Sequence, residues 1–425
     1  MHAAALPGRM LARLGAPSAG PLVAIFLSAN LVNVGNLGFN VLFSRWMGPV
    51  AFGQLATLLT LFLAVMAVLT ALQLAVSQRI AGGDAALATS LARLARRSLP
   101  LCLAALPALI LALHLFDLGP ALGLTAPQSL ALLLLCLPFA LPLALARGIA
   151  TGQLDARRVI ASAQAEMWLR LILAAIAWQT GLGLAGVAAA ISLSVLAGLA
   201  PLWSLLPSRP TATLPHGLIL AALPFAALQA GQVILMDGDV LLAQTLLGSE
   251  AAGHLAALGL FQRIQFFACF SLAVVLLPAV TSDVAAGRSP LRAATPVFAL
   301  YAAVTLPVIA AAFAAPTLLV TTLVGPAFLP AADMLPTVAL AAAAFTLSFL
   351  LATYLAATGD RSGIWAIALA CPVQHIAMSL AAQDLSTMLT AKLLCQLALA
   401  TLLMIRATRR SHSPAHSRAS LVPNQ

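Results

Sequence analysis

The chain has 425 residues, of which 62% are hydrophobic and only 8% are charged, and its mean hydropathy is +1.05. A soluble domain of this composition would carry a continuous apolar surface, so the composition excludes one and indicates a membrane protein. The formal net charge of +10 could suggest a nucleic-acid partner, but the positions of the charges follow membrane topology, which argues against nucleic acid.

Apolar windows of about 20 residues, the length that crosses roughly 30 Å of hydrocarbon, predict twelve transmembrane helices. In chain order the predicted spans are 21–44, 51–77, 99–117, 129–149, 159–180, 182–206, 218–247, 251–280, 295–324, 333–358, 363–382 and 385–406. We therefore predict an all-α integral membrane protein.

The basic residues alternate between the two sides of these spans. Apart from Arg45, Arg170, Arg263 and Lys392, every arginine and lysine lies before span one, at the end of an even-numbered span or in the segment that follows it. Basic residues collect on the cytoplasmic side of membrane proteins. We therefore predict a multi-pass protein with both termini in the cytoplasm.

Two stretches of the chain match when one is shifted by 200 residues. The matching pairs are Gly38/Gly238, Leu42/Leu242, Gly48/Gly248, Ala51/Ala251, Gly53/Gly253, Leu55/Leu255, Ala56/Ala256 and Leu58/Leu258. Each stretch contains the end of a span, a turn flanked by glycines and the start of the next span. The pattern indicates an internal duplication of six helices, an even number, so the two repeats are predicted to be parallel.

The duplication predicts the domain organisation. A cytoplasmic tail at 1–20 precedes an N-lobe at 21–206, which contains helices one to six. A polar, proline-containing linker at 207–217 joins it to a C-lobe at 218–406, which contains helices seven to twelve. A basic cytoplasmic tail follows at 407–425.

The segments FSRWMGPVAFGQLATLLTLF at 43–62 and DVLLAQTLLGSEAAGHLAALGLFQRIQFF at 239–267 resemble the oligosaccharide-lipid flippases of the MOP (multidrug/oligosaccharidyl-lipid/polysaccharide) exporter superfamily. In that family a small-residue turn follows span one and recurs after span seven, as Gly48 to Gly53 and Gly248 to Gly253 do here. The resemblance implies a V-shaped, MATE-like pair of six-helix bundles in the bacterial inner membrane. It also implies a monomer that associates with polysaccharide polymerase machinery.

The function that the resemblance implies is export. Such a protein carries a polyprenyl-diphosphate-linked oligosaccharide, the repeat unit of a polysaccharide, from the cytoplasmic to the periplasmic leaflet by alternating access. It is no enzyme, and neither a catalytic residue, a metal site nor a cofactor is predicted. A coupling ion, H⁺ or Na⁺, stays open: an acidic residue on span seven resembles the coupling position of related lipid-II flippases, but span eleven has Gln374 and His375 where an acidic partner is expected.

Charged residues inside the spans are candidate site residues, because each costs about 2.5–3.5 kcal/mol on insertion scales and needs a partner or a wet cavity. Glu166 and Arg170 lie at i and i+4 on span five. They are predicted either to neutralise each other along the helix or to line the cavity and contact phosphate or sugar.

Asp237 and Arg263 lie equally far from Glu250, at the turn between spans seven and eight, so they are predicted to reach a similar depth and could pair. Arg263 would suit a diphosphate through forked hydrogen bonds. Asp239 completes a D-x-D pattern with Asp237, but a metal-binding pattern of that kind is out of place in an apolar span. Lys392 has no evident partner and could extend toward the interface.

Amide side chains form a stripe along the first helix of each predicted lobe. Asn30, Asn33 and Asn40 recur at helical spacing on span one, with Asn36 near the same face. Gln229, Gln232 and Asp239 repeat three of these positions at a shift of 199. Such amides can simply join helices, but a stripe common to both lobes favours a cavity wall that hydrogen-bonds sugar hydroxyls.

Two alternative functions stay open. A multidrug/cation antiporter of the same superfamily would need acidic groups to capture cations. The central acids are Glu166, Asp237 and Asp239, and they are matched in number by the three central bases Arg170, Arg263 and Lys392. A polyprenyl-dependent membrane glycosyltransferase or ligase would need a large external loop, and the predicted external connections are short. The sequence therefore favours the flippase.

Overall fold

A computed structural model describes residues 19–81, 85–206 and 218–411. The predicted N-terminal tail up to residue 18, the linker at 207–217 and the tail from residue 412 onward lie outside the described residues. The described chain is helical throughout, as the composition predicted.

The helices follow one another with short connections. They are α1 (Ala19–Ala81), α2 (Ala85–Leu115), α3 (Leu118–Ala121), α4 (Gln128–Leu134), α5 (Leu137–Gly152), α6 (Ala156–Gln179), α7 (Gly183–Leu199), α8 (Leu218–Leu246), α9 (Ser249–Ala285), α10 (Leu291–Ala314), α11 (Pro316–Leu323), α12 (Leu335–Ala357), α13 (Ser362–Leu380) and α14 (Leu385–Ser411). Two 3-10 helices, Ala200–Leu205 and Pro326–Met334, follow α7 and precede α12.

Among the described residues, 11 segments are long and apolar enough to cross a membrane. One of them, Val23–Ala81, has 59 residues, which at 1.5 Å per residue is almost 90 Å and far exceeds one hydrocarbon core of roughly 30 Å. The break lies at Gly48, whose φ of 68° and ψ of 176° are not helical. Helix α1 therefore has two arms, before and after Gly48, and the twelve predicted crossings are accounted for.

Some predicted spans are not single helices. The span predicted at 295–324 breaks at Ala315, which adopts φ −145° and ψ 53° between α10 and α11. The cause is local, because the residue before a proline is disfavoured in the helical conformation and Pro316 follows. The span predicted at 129–149 is likewise divided into α4 and α5.

The contacts divide the described chain into two units. The first contains the chain up to Asn40 and Val65–Ala226, and the second contains Val41–Ala64 and Ala227 onward. The second unit therefore includes the hairpin around Gly48 as well as the hairpin between α8 and α9. Its core contains a cluster of aromatic rings, in which Phe266 packs against Phe345 and Phe349 at centroid distances of 5.7 and 5.4 Å.

The two matching turns have the same backbone conformation and contact each other. Gly248 adopts φ 92° and ψ 175°, close to the values of Gly48. A Cβ on Gly53 would lie 2.0 Å from the carbonyl oxygen of Ser249, and a Cβ on Gly253 would lie 1.9 Å from that of Pro49. The contact is reciprocal, as in a two-fold interface, and this supports the predicted duplication.

Arg45, the one arginine predicted in a connection on the acidic side, caps a helix. Its guanidinium donates to the carbonyl oxygens of Thr322 and Leu323 at the end of α11. Those carbonyls have no partner within the helix, and the negative end of the helix dipole attracts a cation. The exception to the charge alternation therefore has a structural reason.

The loop between α12 and α13 is held by Asp360. Its carboxylate accepts from the backbone N–H of Ser362 at 2.9 Å and from Arg406 Nε of α14 at 2.9 Å. Burial alone would raise the pKa of Asp360, but the hydrogen bonds from Ser362 and Arg406 and the charge of Arg406 hold the pKa below its ordinary value.

Candidate functional site

The first polar cluster lies in the first unit, where α5, α6 and α7 meet. Glu166 on α6 forms an ion pair with Arg147 on α5, at 2.7 Å between Oε2 and Nη2. Arg147 also donates from Nε to Ser162 Oγ at 2.8 Å, and Ser162 donates to the carbonyl oxygen of Gly198 at 2.5 Å. Glu166 therefore pairs with Arg147, at the end of predicted span four, and not with Arg170 as the self-neutralising alternative required.

Arg170 is left without a carboxylate within salt-bridge distance in the described part of the chain. Its guanidinium donates to the amide oxygen of Asn36 on the first arm of α1, and it lies 5.9 Å from the ring centroid of Phe39. Both partners are uncharged. Arg170 is thus a half-buried cation without an ion pair of its own, since the nearby carboxylate of Glu166 is paired with Arg147.

The predicted amide stripe has mixed partners. Asn30 and Asn40 donate back to carbonyl oxygens of their own helix, those of Phe26 and Asn36, at 2.9 and 2.8 Å. Asn33 is half-buried and forms no hydrogen bond within the described chain. The same holds for Gln229 and Gln232 of the second unit.

The second polar cluster lies in the second unit and begins with the predicted pair of Asp237 and Arg263. Arg263 donates from Nε and Nη2 to the same oxygen of Asp237, Oδ1, at 3.0 and 2.8 Å. The side chain of Arg263 is 19% exposed and that of Asp237 is 11% exposed. The sequence predicted this pair because Asp237 and Arg263 lie equally far from the turn at Glu250.

Lys392 on α14 has a partner that the sequence analysis missed. Its ammonium group lies 2.5 Å from Asp239 Oδ2, 2.9 Å from Gln262 Oε1 and 3.2 Å from the carbonyl oxygen of Met236. The lysine and aspartate side chains are only 3% and 2% exposed. The expectation that Lys392 extends to the interface is therefore wrong, and both oxygens of Asp239 are occupied, since Oδ1 accepts from the N–H of Val240 at 3.0 Å.

Neutral groups complete the second cluster. Gln374 on α13 donates to the carbonyl oxygen of Leu235 at 3.1 Å and accepts from Gln396 on α14 at 2.5 Å. Gln262 donates to the carbonyl oxygen of Met236 at 3.2 Å. Buried polar groups are stable when they are hydrogen-bonded to one another in this way. Side chains of α9, α13 and α14 thus converge on two consecutive carbonyl groups of α8.

Both clusters contain groups that form hydrogen bonds and ion pairs. In the described residues no group of three or more histidine, cysteine, aspartate or glutamate side chains could hold a metal ion. The groups present are ion pairs, amides and one guanidinium without an anion. Such groups can bind phosphate, carboxylate or hydroxyl groups reversibly.

Comparison with solved structures identifies the architecture. An inward-facing multidrug resistance MATE family transporter of the MOP superfamily superposes with a TM-score of 0.76 at 15% sequence identity, over 91% of this chain and 96% of its own. The eukaryotic MATE transporter AtDTX14 superposes with a TM-score of 0.62 at 17% identity, over 92% and 96%. The chain has the MATE transporter fold.

The MATE fold confirms the prediction of an all-α, MOP-type membrane architecture that passes the bilayer many times. The sequence matches no family model, and no curated protein sequence is similar to it. Identities of 15–17% show the fold alone. The predicted division into lobes, the cytoplasmic position of the termini and the roles of the site residues remain predictions.

Proposed function

We propose that this protein exports a polyprenyl-diphosphate-linked oligosaccharide across the bacterial inner membrane, from the cytoplasmic to the periplasmic leaflet. The observation that carries the proposal is the charge state of the spanning helices. Glu166, Asp237 and Asp239 are each in an ion pair, whereas Arg170 contacts only an amide and a ring. The excess charge in the spans is therefore positive, and it suits an anionic substrate.

Arg170 has the chemistry that a diphosphate requires. A guanidinium offers several N–H donors in a planar fork and stays charged under all physiological conditions. A phosphate oxygen that replaced the amide oxygen of Asn36 would form a stronger hydrogen bond, because both the donor and the acceptor would then be charged. The amides of Asn33, Gln229 and Gln232 have the donors and acceptors that sugar hydroxyls need.

A multidrug/cation antiporter is the second candidate, and one observation favours it: a structural neighbour is a multidrug resistance transporter. A cationic drug would need an acidic group to bind. Each of the three carboxylates named above would first have to leave its partner. For Asp239 that would leave the buried charge of Lys392 without a counter-ion, at a cost of several kcal/mol. The described charges therefore support an anionic substrate better.

The experiment is complementation of a strain that lacks this gene and any second flippase. The readout is the amount of lipid-linked oligosaccharide that reaches the outer leaflet, together with susceptibility to cationic drugs. We expect Arg170→Gln to lower translocation about tenfold or more, because a charge-assisted hydrogen bond contributes roughly 1.5–3 kcal/mol. Arg170→Lys should retain part of it.

The matched control is Arg292→Gln, which removes an exposed arginine without an ion pair on α10. We expect this variant to translocate normally at the same membrane abundance. Normal translocation in the deletion strain would refute the proposal. Normal translocation combined with new drug susceptibility would establish the antiporter instead.

A further inference from the structure

An open apolar groove runs along the surface of the first unit. Its volume is about 600 Å³. It is lined by residues of α6, α7 and the 3-10 helix Ala200–Leu205, namely Leu169, Leu173, Leu193, Leu196, Ala197 and Trp203. Leu193 and Leu196 are 52% and 41% exposed, so the groove opens at the protein surface, where a membrane protein meets lipid chains.

The groove has the length of one leaflet. Leu193 and Trp203 are ten residues apart along nearly continuous helix, which corresponds to about 15 Å at 1.5 Å per residue. That distance is half of a hydrocarbon core of roughly 30 Å. At the Trp203 end, the neighbouring Ser204 accepts a hydrogen bond from Arg158 Nη2 at 3.3 Å. The groove therefore ends at the arginine-bearing face, which is predicted to be cytoplasmic.

A cation stacks on the ring of Trp203 at this end of the groove. The guanidinium carbon of Arg96 lies 4.4 Å from the ring centroid of Trp203, and Arg96 forms no ion pair within the described ranges. A guanidinium stacked on an aromatic face keeps its N–H edge available for a phosphate. Tryptophan itself is typical of the depth at which lipid headgroups meet the hydrocarbon.

The charges around this end are mostly positive. Arg97 and Arg157 are exposed. The nearby carboxylate of Asp155 is already paired with Arg158, at 2.5 Å. Basic groups near the membrane surface attract anionic lipids, with a contribution of about 1 kcal/mol for each arginine. A zwitterionic headgroup would gain less of this attraction.

We propose that the groove binds one anionic glycerophospholipid, with an acyl chain along the leucines and the phosphate at Arg96 above Trp203. The one-leaflet length favours an ordinary acyl chain, because a much longer polyprenyl chain would extend beyond the groove. The site involves none of the residues placed in the transport clusters. It therefore does not depend on which substrate the protein exports.

The experiment uses the full-length protein, purified in a neutral detergent and titrated with phosphatidylglycerol or with phosphatidylcholine. Bound lipid is counted by native mass spectrometry. We expect phosphatidylglycerol to bind more tightly than phosphatidylcholine. Arg96→Gln should weaken phosphatidylglycerol binding roughly fivefold, and Leu193→Trp, which fills the groove at an exposed position, should weaken it without removing a charge.

The matched control is Arg292→Gln, which removes one exposed guanidinium far along the chain and should leave binding unchanged. Equal binding of the two phospholipids would overturn the proposal. So would an Arg292→Gln defect as large as that of Arg96→Gln, since the attraction would then be a general surface effect. Tighter binding of a polyprenyl phosphate than of phosphatidylglycerol would reassign the groove to the transported lipid.

Discussion

The polar clusters of the two units differ in how completely their charges are neutralised. In the second unit, Arg263 and Lys392 each have an aspartate, and the lysine is surrounded by three oxygen acceptors. In the first unit, Glu166 is bound to Arg147, and Arg170 has only Asn36 and Phe39. A closed network stabilises a packing arrangement, whereas a cation without an anion can still accept one. We therefore expect the second cluster to stabilise the packing of its helices, and we propose that the first one binds the anionic substrate.

The largest expected effect is a loss of stability when the ion pair of the second cluster is broken. Lys392→Met would leave Asp239 buried without a counter-charge, and loss of one partner of a buried pair costs about 3–5 kcal/mol. We expect a strong loss of thermal stability in detergent and little folded protein in the membrane. The double variant Lys392→Met, Asp239→Leu removes both charges and should recover most of that stability. If Lys392→Met unfolds at the wild-type temperature, the second cluster is not structural.

The next effect tests the reciprocal turn contact. Gly253→Ala would place a methyl group 1.9 Å from the carbonyl oxygen of Pro49, and overpacking of this kind costs about 1–3 kcal/mol. We expect a lower unfolding temperature. Gly259→Ala on the same helix is the control, because its Cβ would meet nothing within 4 Å, and alanine favours the helix. Equal stability of the two variants would contradict the contact.

Arg263 could have either of two roles, because it belongs to a closed ion pair and is also a predicted substrate ligand. We expect Arg263→Ala to lower translocation. The double variant Arg263→Ala, Asp237→Ala separates the two roles, since it removes both charges of the pair. If translocation returns in the double variant, Arg263 only neutralises Asp237. If it stays low at normal abundance, Arg263 contacts the substrate.

The smallest effect concerns the Asp360 loop. Its folded pKa lies below the ordinary value of 3.8, so the stabilising contribution is complete above the unfolded pKa and is lost as pH falls through the folded pKa. We expect Asp360→Asn to lower stability by less than about 1 kcal/mol at neutral pH. Thermal unfolding at descending pH should show the variant and the wild type converging in strongly acidic buffer.

Much of the fold could be predicted from the sequence, because hydropathy and charge alternation report directly on the bilayer. The duplication was visible because three glycines kept their register, and the structure gives the reason at Gly48, Gly53 and their counterparts. Pro316 explains the break at Ala315, but Pro296 and Pro307 lie inside α10 without ending it, so a proline alone did not predict where the helix ends.

The polar contacts were only partly predictable. The pair of Asp237 and Arg263 lies on two adjacent helices joined by a short turn, so counting residues from the turn gave a common depth. Lys392 is 153 positions from Asp239, and periodicity along one helix does not show which distant helix faces it. Arg147 lies at the end of predicted span four and was counted with the basic residues of the following connection, so it was not considered as a partner for Glu166 inside the membrane.

The contact between the two glycine turns restricts which substitutions each half of the chain can tolerate. Each half supplies a backbone that fills the space where the other half would need a side chain, so the glycine at position 53 and the glycine at position 253 are required together. A side chain at either glycine would displace the backbone of the opposite turn, so a change in one half of the sequence is constrained by a turn about 200 residues away.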